Sequence, residues 1–350
     1  MENRLPGLIF FRTFAARPAS ATTIPLPSHP PDALRPNPIF SALSCMQLQT
    51  PVDLPLRAPR LSPDTPVLLL GSCFAAHIGE RLSAVLNTDA SASDRCSANP
   101  FGVLYNPRSI CQALHLLAAP HEEMLQRISE SLFQGRDGIW HSWLFSTLFS
   151  GSTREEAFQR MVQSANAARC LTASASPIII LTFGTDHHYA LAKHPDMVVA
   201  NCHKELPDTF IEKTDDADSL QTLLAATLTH LHDRCPSVSF ILTVSPYRYR
   251  KYGFHASMLG KARLLLMCEK AMSTWPDATY YFPAYEIMND ELRDYRFYRP
   301  DMLHPSEQAV EYIAERFEGW CFTTEMKAIA EERRRAMRRM AHRSIVFSHT

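Results

Sequence analysis

A serine and, far from it in the chain, an aspartate and a histidine three residues apart are the groups of this sequence best placed to do chemistry. Ser72 follows Leu68-Leu69-Leu70-Gly71 and precedes Ile78, Leu82 and Val85 at helical spacing. This pattern predicts a buried strand that ends at Gly71 and a helix that starts at Ser72. Functional groups collect in the crevice outside the carboxyl end of such a strand. The free N–H groups of the following helix would stabilise an oxyanion on a substrate attacked by the Ser72 hydroxyl. Gly71 permits the tight turn. The bland alternative makes Ser72 a helix cap and nothing more.

Asp301-Met302-Leu303-His304 closes an irregular aromatic loop just before a helical stretch. A single turn brings the Asp301 carboxylate to the imidazole of His304. That pairing would fix the ring's tautomer and stabilise the imidazolium formed when Ser72 loses its proton. One histidine among 15 decides nothing by itself. The strand-Gly-Ser junction and the late Asp/His pair raise each other's weight.

These groups need a scaffold, and from Pro66 onward short apolar runs alternate with longer helical periods. That is the pattern of an α/β chain whose parallel sheet is covered by helices on both faces. The runs lie at 67–70, 178–183, 197–200, 238–244 and 279–282. Helix starts are signalled by Asn106 before Pro107, by Ser152 with Glu155 three residues on, by Asp218 ahead of a leucine-rich stretch, and by His304-Pro305. The first is a cap with proline in the first turn, the second a capping box. A further helix is predicted over 260–272. The aromatic segment 133–149 fits neither period and is expected as an insertion or short hairpin.

Residues 1–45 are rich in Pro, Ala, Ser and Thr without periodicity and read as disordered. Met46 opens a more orderly stretch, so an upstream start site would also account for them. The catalytic domain is expected over 46–322. Six arginines between 333 and 343 mark 323–350 as a basic helix and tail, more simply a solvated helix than one that binds a partner. Charge balance, 35 Lys+Arg against 36 Asp+Glu for a net −1, gives no global attraction to polyphosphate and argues against nucleic-acid binding. The nine cysteines fall singly, with no CxxC pair, so a secreted disulfide framework is not expected. No apolar run is long enough to span a bilayer. Together these features predict a cytoplasmic location.

Gly71-Ser72-Cys73-Phe74-Ala75 is accompanied by Asn99-Pro100-Phe101-Gly102, Tyr105-Asn106-Pro107, Thr182-Phe183-Gly184-Thr185, Asn201-Cys202-His203-Lys204, Val244-Ser245-Pro246 and Asp301-Met302-Leu303-His304-Pro305. In these blocks, from about residue 50 to 321, the sequence resembles the GSCFA domain family, which looks like an offshoot of the SGNH/GDSL hydrolases. The resemblance implies a three-layer α/β/α flavodoxin-like fold with a mostly parallel sheet, a serine nucleophile at Ser72, and Asp301 and His304 in one late motif. It names no substrate. The wider hydrolase pattern also asks for a glycine and an asparagine in the oxyanion hole. Gly102 is the candidate for the first, joining the Ser72 N–H. Asp186 stands where the wider class would offer Gly-x-Asn-Asp, and an ionised carboxylate donates no hydrogen bond. Asn201 is preferred for the missing donor, with Thr185 as the alternative. Asn99 and His203 join the substrate-binding candidates as members of their blocks. Trp140-His141-Ser142 is a weaker match, with His141 read as a rim or core histidine.

Cys73 is the rival nucleophile, since a thiol at a helix N-terminus can have a lowered pKa, but neighbouring residues at a helix start point apart. Asp186, His187, His188, His194, Cys202 and His203 are metal-compatible, yet their spacing matches neither HExxH nor a Cys/His zinc pattern, and no metal or organic cofactor is expected. Arg248, Arg250 and Lys251 are candidates for holding an anionic substrate group or for a solvated loop. Tyr295, Phe297 and Tyr298 read as packing for the catalytic loop. The expected activity is hydrolysis of a small acyl ester, carried on a small molecule, saccharide or lipid, through an acyl-enzyme. An acyltransferase with the same triad and a catalytically degenerate binding protein are the alternatives.

Overall fold

The computed structural model describes residues 49–87 and 95–347, with side chains through 336 and at 339; the 1–45 segment read as disordered lies outside the described residues. In chain order the elements are β1 (Val67–Gly71), α1 (Cys73–Leu86), β2 (Cys96–Ala98), α2 (Pro107–Ala118), α3 (His121–Glu130), β3 (Leu132–Gln134), β4 (Trp140–Ser142), α4 (Arg154–Thr172), β5 (Ile178–Phe183), β6 (His187–Leu191), β7 (Val198–Val199) and β8 (Phe210–Thr214). There follow α5 (Ala217–Arg234), β9 (Ser239–Val244), α6 (Phe254–Thr274), β10 (Thr279–Tyr281), the single turn α7 (Ala284–Glu286), α8 (Glu307–Cys321) and α9 (Thr324–Phe347).

Strands β2, β1, β5, β9 and β10 lie side by side in that order, all parallel. Every residue of β1 and β5 is buried, as strands covered on both faces require. Alternate side chains go to opposite faces. Leu68, Leu70, Ile179, Leu181 and Phe183 pack under α2, α4, α5 and α6. Val67, Leu69, Ile178, Ile180 and Ile241 pack under α1 and α8, with Met326 and Ala330 of α9. The expected α/β architecture is present, with a sheet that is parallel throughout rather than mostly so. β1 leads to β2 on one side and later to β5 on the other, so the winding reverses between β1 and β5. The crevice beyond the carboxyl ends at such a reversal is where open α/β sheets bind ligands.

Three expectations need correction. The run at 197–200 does not join the parallel sheet, because Val198–Val199 pairs antiparallel with β6, which pairs on its other side with β8. β2 has no counterpart among the predicted strands, since Cys96-Ser97-Ala98 carries no apolar run and an edge strand has one neighbour to satisfy. Caps lie near but not on some of their signals: α4 and α5 are capped by Thr153 and Asp216 rather than Ser152 and Asp218, and α8 by Ser306. Asn106 does cap α2, accepting from Ser109 N at 2.8 Å, and the aromatic segment does form a hairpin, β3 with β4.

The arginines that open the basic stretch of α9 are used internally. The Arg333 guanidinium donates to Ala84 O at 2.8 Å, and Arg334 pairs with Glu318 at 2.5 Å. No described helix is long and apolar enough to cross a membrane.

Gly71, at φ +146°, carries the turn from β1 into α1, and a Cβ there would stand 2.3 Å from Thr182 O of β5. That contact is backbone and cannot swing aside. Gly71→Ala should therefore destabilise the fold by about 3 kcal/mol, read as a lower urea midpoint. An unchanged midpoint would mean that the turn tolerates a side chain.

Candidate active site

Ser72 caps α1, its Oγ accepting the Phe74 N–H at 3.3 Å. Its own N–H donates to Thr182 O at 3.2 Å, and the preceding Gly71 N–H donates to Asn99 Oδ1 at 2.9 Å, so the junction is tied to the neighbouring strand β5 and to the loop after β2. Ser72 is 3% exposed and lines a cavity of about 560 Å³, within the usual size of small-molecule sites. Thr185 after β5, Ser245 after β9 and His304 line the same cavity. The site thus sits outside the carboxyl ends of β1, β5 and β9.

His304 arrives already paired. Its Nδ1 lies 2.5 Å from Asp301 Oδ2, while Asp301 Oδ1 accepts the backbone N–H groups of Leu303 at 2.9 Å and His304 at 3.0 Å. These donors, the His304 backbone N–H foremost, hold the Asp301 carboxyl well below the usual carboxylate range. Met302, at φ +59°, makes the bend that lets one carboxylate reach all three. Arg248 fastens the turn from outside, its backbone N–H donating to Leu303 O and its guanidinium to Met302 O, each at 3.2 Å. The Tyr247 ring packs 4.3 Å from the imidazole. Among the described residues no hydrogen bond joins Ser72 Oγ to His304. The alcohol and the ring line the same cavity, and catalytic hydrogen bonds are often long or unmade before substrate tightens a site.

Of the oxyanion candidates, the Gly102 and Ser72 N–H groups are committed to other acceptors, whereas Asn201 and Thr185 line the cavity. The Gly102 N–H donates to Asn99 O at 2.7 Å, and Gly102 does not line the cavity; its glycine is required by φ +81° and by Ser146, whose Oγ a Cβ would meet at 1.9 Å. The Ser72 N–H is likewise committed, to Thr182. Asn201 does line the cavity, and because its Oδ1 accepts the His203 N–H at 2.8 Å, the Nδ2 is left to donate. Thr185 lines it too; its N–H goes to Tyr105 O at 3.0 Å and its Oγ1 accepts the His187 N–H at 3.1 Å, leaving the hydroxyl proton. The Cys73 N–H, at the first turn of α1, has no acceptor among the described residues. Of these candidates, the Cys73 N–H, Asn201 Nδ2 and the Thr185 hydroxyl are left free to donate. Asp186 is turned away to Arg263 at 2.6 Å.

Asn99 and His203 support the site from outside the cavity. Asn99 holds Gly71 through Oδ1. His203 Nε2 donates to Ser142 O at 2.9 Å and its ring stacks on His141 at 4.6 Å. Burial pushes the His203 pKa down to about 4 from 6.5. The unfolded chain then binds more protons than the native one between about pH 4 and 6.5, so the native state loses stability as pH falls through that window. His203→Gln, which keeps a donor for Ser142 O, should reduce that loss by on the order of 2 kcal/mol, read from urea midpoints at neutral pH and near pH 4.5. Equal pH slopes in the two proteins would place the titration elsewhere.

A second Ser–His–Asp chain exists on the β3–β4 insertion, where His141 Nδ1 lies 2.6 Å from Ser150 Oγ and Nε2 lies 3.1 Å from Asp137. Ser150 sits at the end rather than the start of a 3₁₀ turn and does not line the Ser72 cavity. Among the described residues no group of three or more His, Cys, Asp and Glu is arranged to hold a metal ion.

Lys261 is a participant that periodicity hid among the leucines of α6. Fully buried, it donates to Gly184 O at 2.6 Å and to Ser245 O at 2.7 Å, fastening together the ends of β5 and β9 that carry Thr185 and Ser245. Desolvation lowers its pKa to about 7. A family model described as the GSCFA family matches residues 66–317. No curated protein matches the chain.

Proposed function

The chain belongs to the GSCFA family, and from that premise we propose that it is an SGNH-type serine hydrolase acting on an ester of a small acyl group. Ser72 Oγ attacks the ester carbonyl as His304 Nε2 takes its proton. The oxyanion is held by the Cys73 N–H, Asn201 Nδ2 and the Thr185 hydroxyl. The carbonyl-to-alcohol bond then breaks, and His304 returns the proton to the departing oxygen. Water, deprotonated by the same imidazole, then attacks the acyl carbonyl; the bond to Ser72 Oγ breaks, His304 returns the proton to that oxygen, and the acid leaves. Asp301 keeps the Nδ1 proton in place and offsets the charge on the ring throughout.

The observation that carries this reading is that Ser72, at a helix N-terminus, and His304, already paired with Asp301, open into one cavity. A transferase would use the same residues with a hydroxyl acceptor in place of water. Turnover of p-nitrophenyl acetate, butyrate and longer esters tests the proposal, with and without alcohol acceptors. Activity highest on the short esters is expected, and acceptor-dependent acyl transfer would select the transferase. A folded protein that turns over no ester in either format would overturn the reading and leave a binding protein on the hydrolase fold.

A further inference from the structure

We infer that the substrate of this cleft carries an anionic group on its alcohol half. The inference rests on the hydrolase reading and specifies what that site accepts. Among the described residues no aspartate or glutamate lines the cavity. Three carboxylates beside lining residues are paired with cations or with their own turn: Asp186 with Arg263 at 2.6 Å, Glu212 with Lys251 at 3.2 Å and His187 at 3.3 Å, and Asp301 with its own turn and His304. The cavity lining nevertheless includes Arg299. Its guanidinium makes no hydrogen bond or ion pair with any described residue, while of Arg248, Arg250 and Lys251, the cations the sequence pointed to, none lines the cavity, and Arg248 and Lys251 are bound to Met302 O and Glu212. Three imidazoles, of His77, His187 and His304, share the lining. A full positive charge without a counter-charge at the wall of a concave site focuses attraction on anions.

Position assigns the anion to one half of the ester. The Arg299 backbone N–H donates to His304 O at 2.8 Å, so the two residues are neighbours across the loop, and both line the cavity. In the proposed reaction His304 delivers its proton to the leaving oxygen, which places the departing alcohol on the His304 side of Ser72 and within the field of Arg299. The acyl half lies against the oxyanion donors on the other side. Arg299 forms and breaks no bond in the reaction; it binds a carboxylate, phosphate or sulfate borne by the alcohol.

Two acetyl esters that differ in one charge test this: 4-acetoxybenzoate and uncharged 4-acetoxybenzamide. The ratio of their kcat/KM values cancels effects common to both. Arg299→Gln should lower the benzoate-to-benzamide ratio about tenfold relative to the native enzyme, as expected for a charge-assisted contact at a partly open site, and Arg299→Lys should restore part of it. About 0.5 M NaCl should lower the native ratio by screening. An identical ratio in the native and Arg299→Gln enzymes would overturn the inference. If neither ester is cleaved, the hydrolase reading fails on its own, and calorimetric binding of 4-hydroxybenzoate against 4-hydroxybenzamide decides the anion preference. Tighter benzoate binding that Arg299→Gln abolishes supports it, and equal binding of the two refutes it.

Discussion

Ser72→Ala should lower kcat toward a short acyl ester by roughly 10⁴- to 10⁶-fold with little change in KM. The hydroxyl is the attacking atom, and the neighbouring Cys73 thiol is engaged with the Tyr105 hydroxyl at 3.6 Å. The substitution leaves the cavity walls in place. It removes one capping bond, to the Phe74 N–H, and costs about 1 kcal/mol of stability, so a folded and nearly inactive protein is the expected outcome. Activity within tenfold of the native enzyme would remove Ser72 from the mechanism.

Asp301→Asn should cost about 10⁴-fold in kcat, and it separates catalysis from local structure. The asparagine carbonyl can still accept the Leu303 and His304 backbone N–H groups that hold the turn, so the loop keeps its shape. Its amide instead presents a donor to His304 Nδ1, which pushes the ring proton to Nε2, the nitrogen that must be free to take the proton from Ser72. The imidazolium also loses its counter-charge. Asp301→Ala should be no more active and should loosen the turn as well. An Asn variant that keeps a tenth or more of native activity, measured with the same ester, would reduce Asp301 to a turn-forming residue.

The parts of this site that the sequence disclosed are those in which one local pattern fixes the geometry. A buried strand, a glycine and a serine at a helix start leave few arrangements for residues 67–78, and an aspartate three residues before a histidine can close on it within a single turn. Residues whose role depends on the hydrogen bonds the folded backbone makes were hidden. Gly102 stands in the right block, but its N–H is consumed by Asn99 O. Arg248 reads equally as an anion ligand or a residue of a solvated loop, yet its guanidinium donates to a carbonyl of the Asp301 turn, while Arg299 is the arginine that lines the cavity. Lys261 reads as one polar residue in an apolar helix, and only the approach of β5 to β9 gives its ammonium two carbonyls to bridge. The small antiparallel sheet β7–β6–β8 is not legible in the sequence because its pairing partners are separated by loops, nor is strand β2, because three small or half-buried residues carry no periodic signal.

Reaction with a fluorophosphonate, followed by peptide mapping, tests the central claim most directly. An activated serine at the head of α1 should take up one phosphonyl group per chain on Ser72, and His304→Ala should abolish the labelling while the protein remains folded. A folded native protein that stays unlabelled, or one labelled at Ser150 with Ser72 untouched, would contradict the account.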